Sequence, residues 1–581
     1  MAVAVTMARM KVAVLRHALT GRQGAMVVSA GSLGALLAAG TVLLAFLDGD
    51  WLTAAYAVWL LGWVIGPVFS GGGDETLRPE FFSMLGLPPY RLATGLLVSA
   101  FVGVAPAVSL LALSGLVVAG ARQSGVVGAL VAVPAMVLQL AVFVLLSRVA
   151  VALLAVALRS RVGALGAGLV NGAILAFLGQ GWVFAVALGQ GSGIPEFVRY
   201  LPSGWGVLAV GGDFLALAAL VVLVALLLGV WAALLSRRTG ATRPSTRGRR
   251  PMRARSPREA VVAKELRTWT RDLVRTHQVT FALAYGLFFA AAPLVLGWAG
   301  LLPWAGPIFI VMAAAMTSNL YGSDGTALWL TIMTPGASDV RGRQLAWLAA
   351  VAPPALVVTV PLTVVGDGSW PMVSAVTLAL LGGGAGLVPL VSVYGLVPGI
   401  DPQRRGGNPL RTSEDDGSLT GLAYLMLLLV AATAAPAAVV AAMYGWAGVA
   451  AGAATGALCY WGFGRLAERR LEAQGPELLH MMRTGRRPET KSSFKMPEMP
   501  KTAQAVTYTC WGLAMIPLFP QGIVATVFLA NGMYRHSWFL ATYMSPGLRW
   551  PTAIGMIAIG LTLLGTGWFL MSKYRKKAAE A

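Results

Sequence analysis

The sequence predicts an all-α polytopic membrane protein with about fourteen transmembrane helices, arranged as two six-helix repeats followed by a C-terminal helix pair. Three observations predict this. Apolar residues make up 57% of the chain and charged residues 12%, with a mean hydropathy of +0.73, too little charge to cover the surface of a soluble chain of 581 residues. Apolar stretches of about twenty residues, the length that crosses ~30 Å of hydrocarbon, recur along the whole chain. Lysine and arginine gather in alternate loops. Lipid cannot satisfy backbone amides, so the apolar stretches are read as helices, and the short alternating strands of a barrel are not seen.

Taken in order, six spans are expected at 25–47, 51–70, 93–120, 125–147, 163–188 and 206–235. Six more follow at 278–298, 302–321, 344–366, 371–398, 419–443 and 446–464, and a final pair at 505–531 and 551–571. With the N-terminus inside, Arg9, Lys11, Arg16, Arg22, Arg159, Arg161, the run from Arg237 to Arg258, Arg404, Arg405 and Arg465 to Arg470 all fall on the cytoplasmic side. The opposite loops, such as Asp48-Gly-Asp50 and Gly366-Asp-Gly368, are poor in basic residues, which fixes the orientation. An even number of spans returns the tail with Lys573, Arg575, Lys576 and Lys577 to the cytoplasm. The expectation is a multi-pass protein of the cell (plasma) membrane with both termini cytoplasmic.

Two polar segments divide the chain. Residues 1–236 form a first six-span unit opened by a weakly amphipathic basic segment, Met7 to Arg22, and residues 237–257 a basic linker. Residues 258–465 form a second six-span unit, 466–504 a basic cytoplasmic segment with Pro488, Pro497 and Pro500, and 505–581 a two-span extension. The stretch from Arg237 to Arg258 holds nine arginines and no acid, the composition of a flexible tether lying against anionic lipid headgroups. The net charge of +21 is thus accounted for by topology and membrane lipid, and no nucleic-acid partner is expected.

The two six-span units echo one another. Asp74, Thr76 and Arg91 recur as Asp324, Thr326 and Arg341, each 250 positions on, in the loop between the second and third spans; Val104-Ala-Pro106 recurs as Val351-Ala-Pro353 inside the third. Units of six spans share one orientation, so such halves would face each other across an axis along the membrane normal.

Two features bear on function. Before the seventh span, Val262, Leu266, Trp269 and Leu273 fall within roughly 60° at ~100° per residue, with Lys264, Arg267, Arg271 and Arg275 opposite, the pattern of an interfacial helix with Trp269 at the headgroups and the basic residues toward lipid phosphate. In the loop after the second span of each unit a short helix is expected. In the second unit Ser323 or Asp324 would cap it, and Leu328, Trp329 and Met333 would offer an apolar face to a protein partner.

The plan of an interfacial helix, two spans, a cytoplasmic helical loop and four more spans resembles the permeases of type-2 ATP-binding-cassette (ABC) exporters. The run Asn319-Leu-Tyr-Gly-Ser-Asp-Gly-Thr-Ala-Leu-Trp-Leu330 with Arg341-Gly-Arg343 looks like loops of actinobacterial members, and Lys264-Glu-Leu-Arg-Thr-Trp-Thr-Arg-Asp272 looks like their connecting helix. The likeness covers roughly residues 7–465, and the last two spans depart from the family plan. It implies that Asp324, Thr326, Leu328, Trp329, Met333 and Arg341, with Asp74, Thr76 and Arg91 in the first unit, couple the chain to a separate ABC ATPase subunit, present in two copies, which would hold ATP and Mg. It implies export, and a path lined mostly by apolar and small side chains would favour a small amphipathic or lipid-like compound.

No enzyme is expected in this chain, nor any cofactor. A Walker A loop needs Gly-Lys before its Ser or Thr, and that dipeptide never occurs. The histidines His17, His277, His480 and His536 are scattered, pair at no metal-ligand spacing and are expected at interfaces. The two cysteines, Cys459 and Cys510, fall in or beside spans and imply no disulfide framework. Glu414-Asp-Asp416, the one compact acidic group, reads as a solvated loop. Gly382-Gly-Gly-Ala-Gly386 reads as a helix-packing seam. Gln139, Arg148, Asn171, Gln180 and Asp213, with Thr280 and Thr317, are the polar groups placed within spans, and they include no cluster of buried carboxylates or bases. The rival reading is an ion- or proton-coupled secondary transporter.

Overall fold

The computed structural model describes residues 2–20, 24–46, 49–69, 82, 88–157, 160–181, 183, 196–239, 254–334, 338–398, 418–484, 499–530, 532 and 539–580. These residues are all-helical, with no strand among them. Nine helices among them are long and apolar enough to cross a membrane, and three shorter apolar helices accompany them, so the protein is a polytopic helical membrane protein. The apolar run Val104–Leu154 is 51 residues long, roughly 76 Å at ~1.5 Å per residue, and it breaks at Ser124 and Gly125, where Gly125 takes φ +62. The stretches at 51–70 and 302–321 fall on the shorter helices, and those at 446–464 and 505–531 are not among the nine.

The chain divides into two compact units, each discontinuous in sequence. The first comprises Met1–Leu153, Phe184–Ala241 and Phe494–Ala581. It contains α1 (Ala2–Thr20), α2 (Gly24–Leu44), α3 (Gly49–Phe69), α4 (Pro89–Ala100), α5 (Val104–Leu113), most of α6 (Gly115–Ala157), α8 (Trp205–Val210), α9 (Phe214–Thr239), α18 (Lys501–Leu518), α19 (Ala525–Ala530) and α20 (Arg549–Glu580). Its core gathers Leu52, Tyr56, Leu113, Leu116, Phe143 and Val210. Polar links cross that core: Tyr56 donates to the Ala112 carbonyl at 3.2 Å, Trp63 to Ser109 at 2.8 Å and Gln139 to the Pro202 carbonyl at 2.9 Å. Arg122 donates to the carbonyls of Ala45 and Phe46, satisfying the C-terminal end of α2. Asp213, at the break between α8 and α9, accepts from the amide of Leu215 at 3.0 Å and so caps α9.

The second unit comprises Leu154–Val183 and Thr242–Ser493. It holds α7 (Arg161–Gly179), α10 (Pro257–Arg271), α11 (Leu273–Ala291), α12 (Ala305–Met316), α13 (Leu328–Met333), α14 (Asp339–Val365), α15 (Trp370–Tyr394), α16 (Ser418–Tyr444) and α17 (Ala447–Thr484). Without a hydrophobic drive between helices in lipid, close packing needs small residues, and glycines set the seams. Gly168 and Gly172 of α7 lie against the backbone at His277 and Phe281 of α11. Gly382 and Gly386 of α15 meet the backbone of Gly456 and Cys459 of α17, so this run is a packing seam, as the sequence predicts.

The compact units group three segments across the sequence division. Span 163–188, assigned to the unit 1–236, packs as α7 in the second compact unit, because its glycine face fits α11. The extension 505–581 belongs to the first compact unit, where α18 packs against α2 and α20. The basic segment beginning at 466 starts as helix: α17 runs on to Thr484, with Leu478, Met481 and Met482 buried.

Candidate functional site

The densest chemistry lies in the second unit, where α10, the start of α11, the turn before α13 and the start of α14 meet. Ser256 caps α10, accepting from the amide of Glu259 at 3.2 Å, with Pro257 in the first turn. The helix ends at Arg271, and Asp272 starts a new one by accepting from the amide of Val274 at 2.9 Å. This break turns Arg275 inward. The single amphipathic helix expected through Leu273 and Arg275 is therefore two helices, and Arg275 is buried rather than facing lipid phosphate. Trp269 is buried as well, packed beneath the Arg275 guanidinium at 5.4 Å rather than exposed to lipid. Lys264 and Arg271 remain exposed and Arg267 is half-buried.

Glu265, four residues before Trp269 and so toward the apolar side of α10, is the centre of a buried ionic network. Its Oε2 accepts from Arg275 Nη1 at 2.6 Å, and its Oε1 lies 3.1 Å from Arg343 Nη1 and 3.2 Å from Lys264 Nζ. The Arg343 side chain, 0% exposed, also donates from Nε to Asp339 Oδ2 at 2.7 Å and from Nη2 to Asp324 Oδ2 at 2.5 Å. Its guanidinium stacks 4.2 Å from the centre of the Tyr321 ring, whose hydroxyl donates to Asp339 at 2.8 Å. Arg275 Nη2 donates to Ser323 at 3.2 Å. Three cations thus face three carboxylates, the condition for keeping charges in a low-dielectric interior.

Burial by itself would raise the pKa of Glu265, but Arg343, Arg275 and Lys264 outweigh it and hold the carboxyl well below the usual carboxylate range. Burial and the Asp339 carboxylate push the Tyr321 hydroxyl up, so it stays a proton donor. Every charged member is engaged by another, which leaves no free nucleophile or base. No group of His, Cys, Asp or Glu suited to a metal ion occurs among the described residues. What the arrangement can do is mechanical: it locks α10, the 321–324 turn and α14 into one body.

The turn is pinned further. Tyr321 donates its amide to Ser392 at 2.7 Å, and Asn319 exchanges two hydrogen bonds with Val397. Gly325 at φ +62 reverses the chain so that α13 can begin at Leu328. Asp324 does not cap that helix, being held by Arg343, and Ser323 donates to the Leu320 carbonyl instead. Leu328 is buried, contrary to the face expected for it, in a cluster with Tyr321, Leu478, Met481 and Met482. Trp329 at 46% and Met333 at 71% exposure do form a free apolar surface, with Leu330 beside them, and Thr326 is exposed. Arg341 stands apart from the network: it donates to the carbonyls of Tyr460 and Trp461 at 3.0 and 3.1 Å and lies 3.5 Å from Glu468, tying α14 to α17.

Of the first-unit counterparts, Arg91 is exposed on α4, while Asp74 and Thr76 lie outside the described residues, as do Glu414-Asp-Asp416 and His536. Glu265, Arg343, Asp339 and Tyr321 were not singled out by sequence reasoning, although the i, i+4 pair Asp339 and Arg343 at a helix start was a usable signal. His277, expected at an interface, is buried between α7 and α11, 3.3 Å from the Asn171 amide nitrogen. No family model, curated protein or solved structure matches this chain.

Proposed function

We propose that this chain is the membrane-spanning subunit of an ABC exporter. In this reading fourteen spans form two six-helix halves and a C-terminal pair, with both termini in the cytoplasm of a plasma-membrane protein. ATP and Mg belong to a separate ATPase subunit, present in two copies, which docks on the loop helices. The compound moved is small and amphipathic or lipid-like.

The observation that supports it best is the union of α10, the 321–324 turn and α14 through Glu265, Arg275 and Arg343, with Trp329, Leu330 and Met333 left exposed beyond it. A surface that receives force from a partner must be rigidly tied to the helices it moves, and a buried, charge-balanced joint provides such a tie. Exposed Trp and Met on a short, pinned helix suit an interfacial anchor.

A second reading, a proton-coupled carrier, draws on the buried His277 beside Asn171, since an intramembrane ionisable group marks function by default. Inside-out vesicles separate the two. The ABC reading expects uptake of a lipophilic fluorescent dye that needs ATP, survives an uncoupler and is lost in Trp329→Ala/Met333→Ala. Uptake that ignores ATP, collapses with the uncoupler and falls in His277→Gln would replace it with the carrier.

A further inference from the structure

α17 changes character within one turn. From Ala447 to Gly464 it carries no charge, and from Arg465 it carries Arg465, Glu468, Arg469 and Arg470. Its glycine seam runs parallel to α15, and the Arg470 guanidinium stands 5.0 Å from the ring of Tyr394, the last residue of that membrane-length helix. In a bilayer crossed by α15 the change falls near the end of that helix, the level at which arginines meet lipid headgroups.

There the surface of α17 forms an open groove of about 430 Å³, lined by Leu458, Cys459, Trp461, Arg465, Leu466 and Arg469. Arg465 stacks on Trp461 with its guanidinium carbon 4.4 Å from the ring centre, which fixes the plane and leaves N–H edges free to donate. Arg469 follows one turn later. Glu468, the nearest acid on the helix, is engaged by Arg341, and among the described residues neither Arg465 nor Arg469 has a carboxylate partner. Leu458, Trp461 and Leu466 are exposed along the same groove.

We infer that this groove binds an anionic phospholipid. The phosphate is taken by Arg465 and Arg469, with Trp461 at the glycerol level, and an acyl chain lies along Leu458 and Cys459. Charge complementarity requires a phosphate, and the apolar floor requires the chain attached to it. An inorganic phosphate would satisfy only the two arginines and leave the floor uncovered. The site does not depend on what the protein transports, and it adjoins the carbonyls of Tyr460 and Trp461 that Arg341 holds.

The test is native mass spectrometry of the full chain in mixed micelles containing equal phosphatidylglycerol and phosphatidylcholine. The wild type should retain phosphatidylglycerol in preference. Arg465→Gln/Arg469→Gln should weaken retention by roughly 30-fold, at about tenfold per 1.4 kcal/mol and about 1 kcal/mol for each basic residue at a membrane surface. Arg465→Lys/Arg469→Lys should keep most of it, Arg483→Gln farther along the helix should keep all of it, and millimolar inorganic phosphate should displace none. The proposal is overturned if the wild type does not discriminate the two lipids or if inorganic phosphate strips the bound lipid. It is equally overturned if the glutamine pair, with an unchanged unfolding midpoint, retains phosphatidylglycerol like the wild type.

Discussion

Replacing Arg343 by methionine tests the buried joint directly, because the side chain is fully enclosed and touches three carboxylates at once. At an effective dielectric of about 20, unit charges ~4 Å apart attract by about 4 kcal/mol, so three such contacts give roughly 12 kcal/mol of gross attraction. The cost of desolvating the ions, several kcal/mol each, cancels most of this, so the intact network contributes little net stability. Removing the cation alone is different: Asp324, Asp339 and Glu265 lose their shared buried cation, the Tyr321 hydroxyl on Asp339 brings no charge, and Lys264, 50% exposed and screened by solvent, compensates Asp324 and Glu265 only weakly. Arg343→Met should therefore destabilise the second unit by about 3–5 kcal/mol. Arg343→Met/Asp324→Asn/Asp339→Asn, which also removes the stranded charges, should recover at least about half of that. Detergent-induced unfolding in mixed micelles, followed by the fluorescence of buried tryptophans such as Trp347, reads both. A single variant within about 1 kcal/mol of the wild type, or a triple variant less stable than the single one, would refute the reasoning.

Other outcomes follow from the same geometry. Glu265 has its pKa lowered on folding, so the stability it contributes is complete above the unfolded value of about 4.3 and is lost as the pH falls toward the lowered native value. The unfolding midpoint of Glu265→Gln should accordingly fall less steeply below that pH than the wild type's, by up to about 1.4 kcal/mol per pH unit. A Cβ at Gly382 would press into the backbone of Gly456, so Gly382→Val should cost about 1–3 kcal/mol or more, whereas Gly62→Ala, with nothing within 4 Å of its Cβ, should stabilise by about 0.4–1 kcal/mol; thermal unfolding compares them. Trp329→Ala/Met333→Ala touches only exposed side chains and should shift the unfolding midpoint by no more than about 0.5 kcal/mol, while weakening retention of a partner subunit in pull-downs at least tenfold.

The helical, membrane-embedded character of the chain could be read from composition and apolar length alone, because lipid permits few alternatives. The glycine run at 382–386 was legible for a related reason, since close helix packing in lipid needs small residues whatever the partner. The site was half legible. A 3.6-residue period places side chains on faces only while a helix continues, and the break at Asp272 sent Arg275 to the opposite environment from the one its register implied. Trp269 was read as a headgroup anchor because tryptophan is amphipathic; that it lies under Arg275 depends on α14 delivering Arg343 from 78 positions away to balance Glu265. The burial of Leu328 and of the C-terminal half of α17 was missed together, since the two share one cluster and neither segment alone signals a core. The assignment of α7 was decided by the match of Gly168 and Gly172 to α11, a fit between segments more than 100 positions apart.

The central claim is that a separate ATPase docks on this chain through the loop that the buried joint supports. Affinity purification of the tagged chain from its native membranes in mild detergent, with identification and quantification of every subunit retained, tests it most directly. The account predicts a stoichiometric partner bearing a Walker A motif, retained by the wild type and lost with Trp329→Ala/Met333→Ala. A stable, monodisperse chain with no ATPase bound would contradict it.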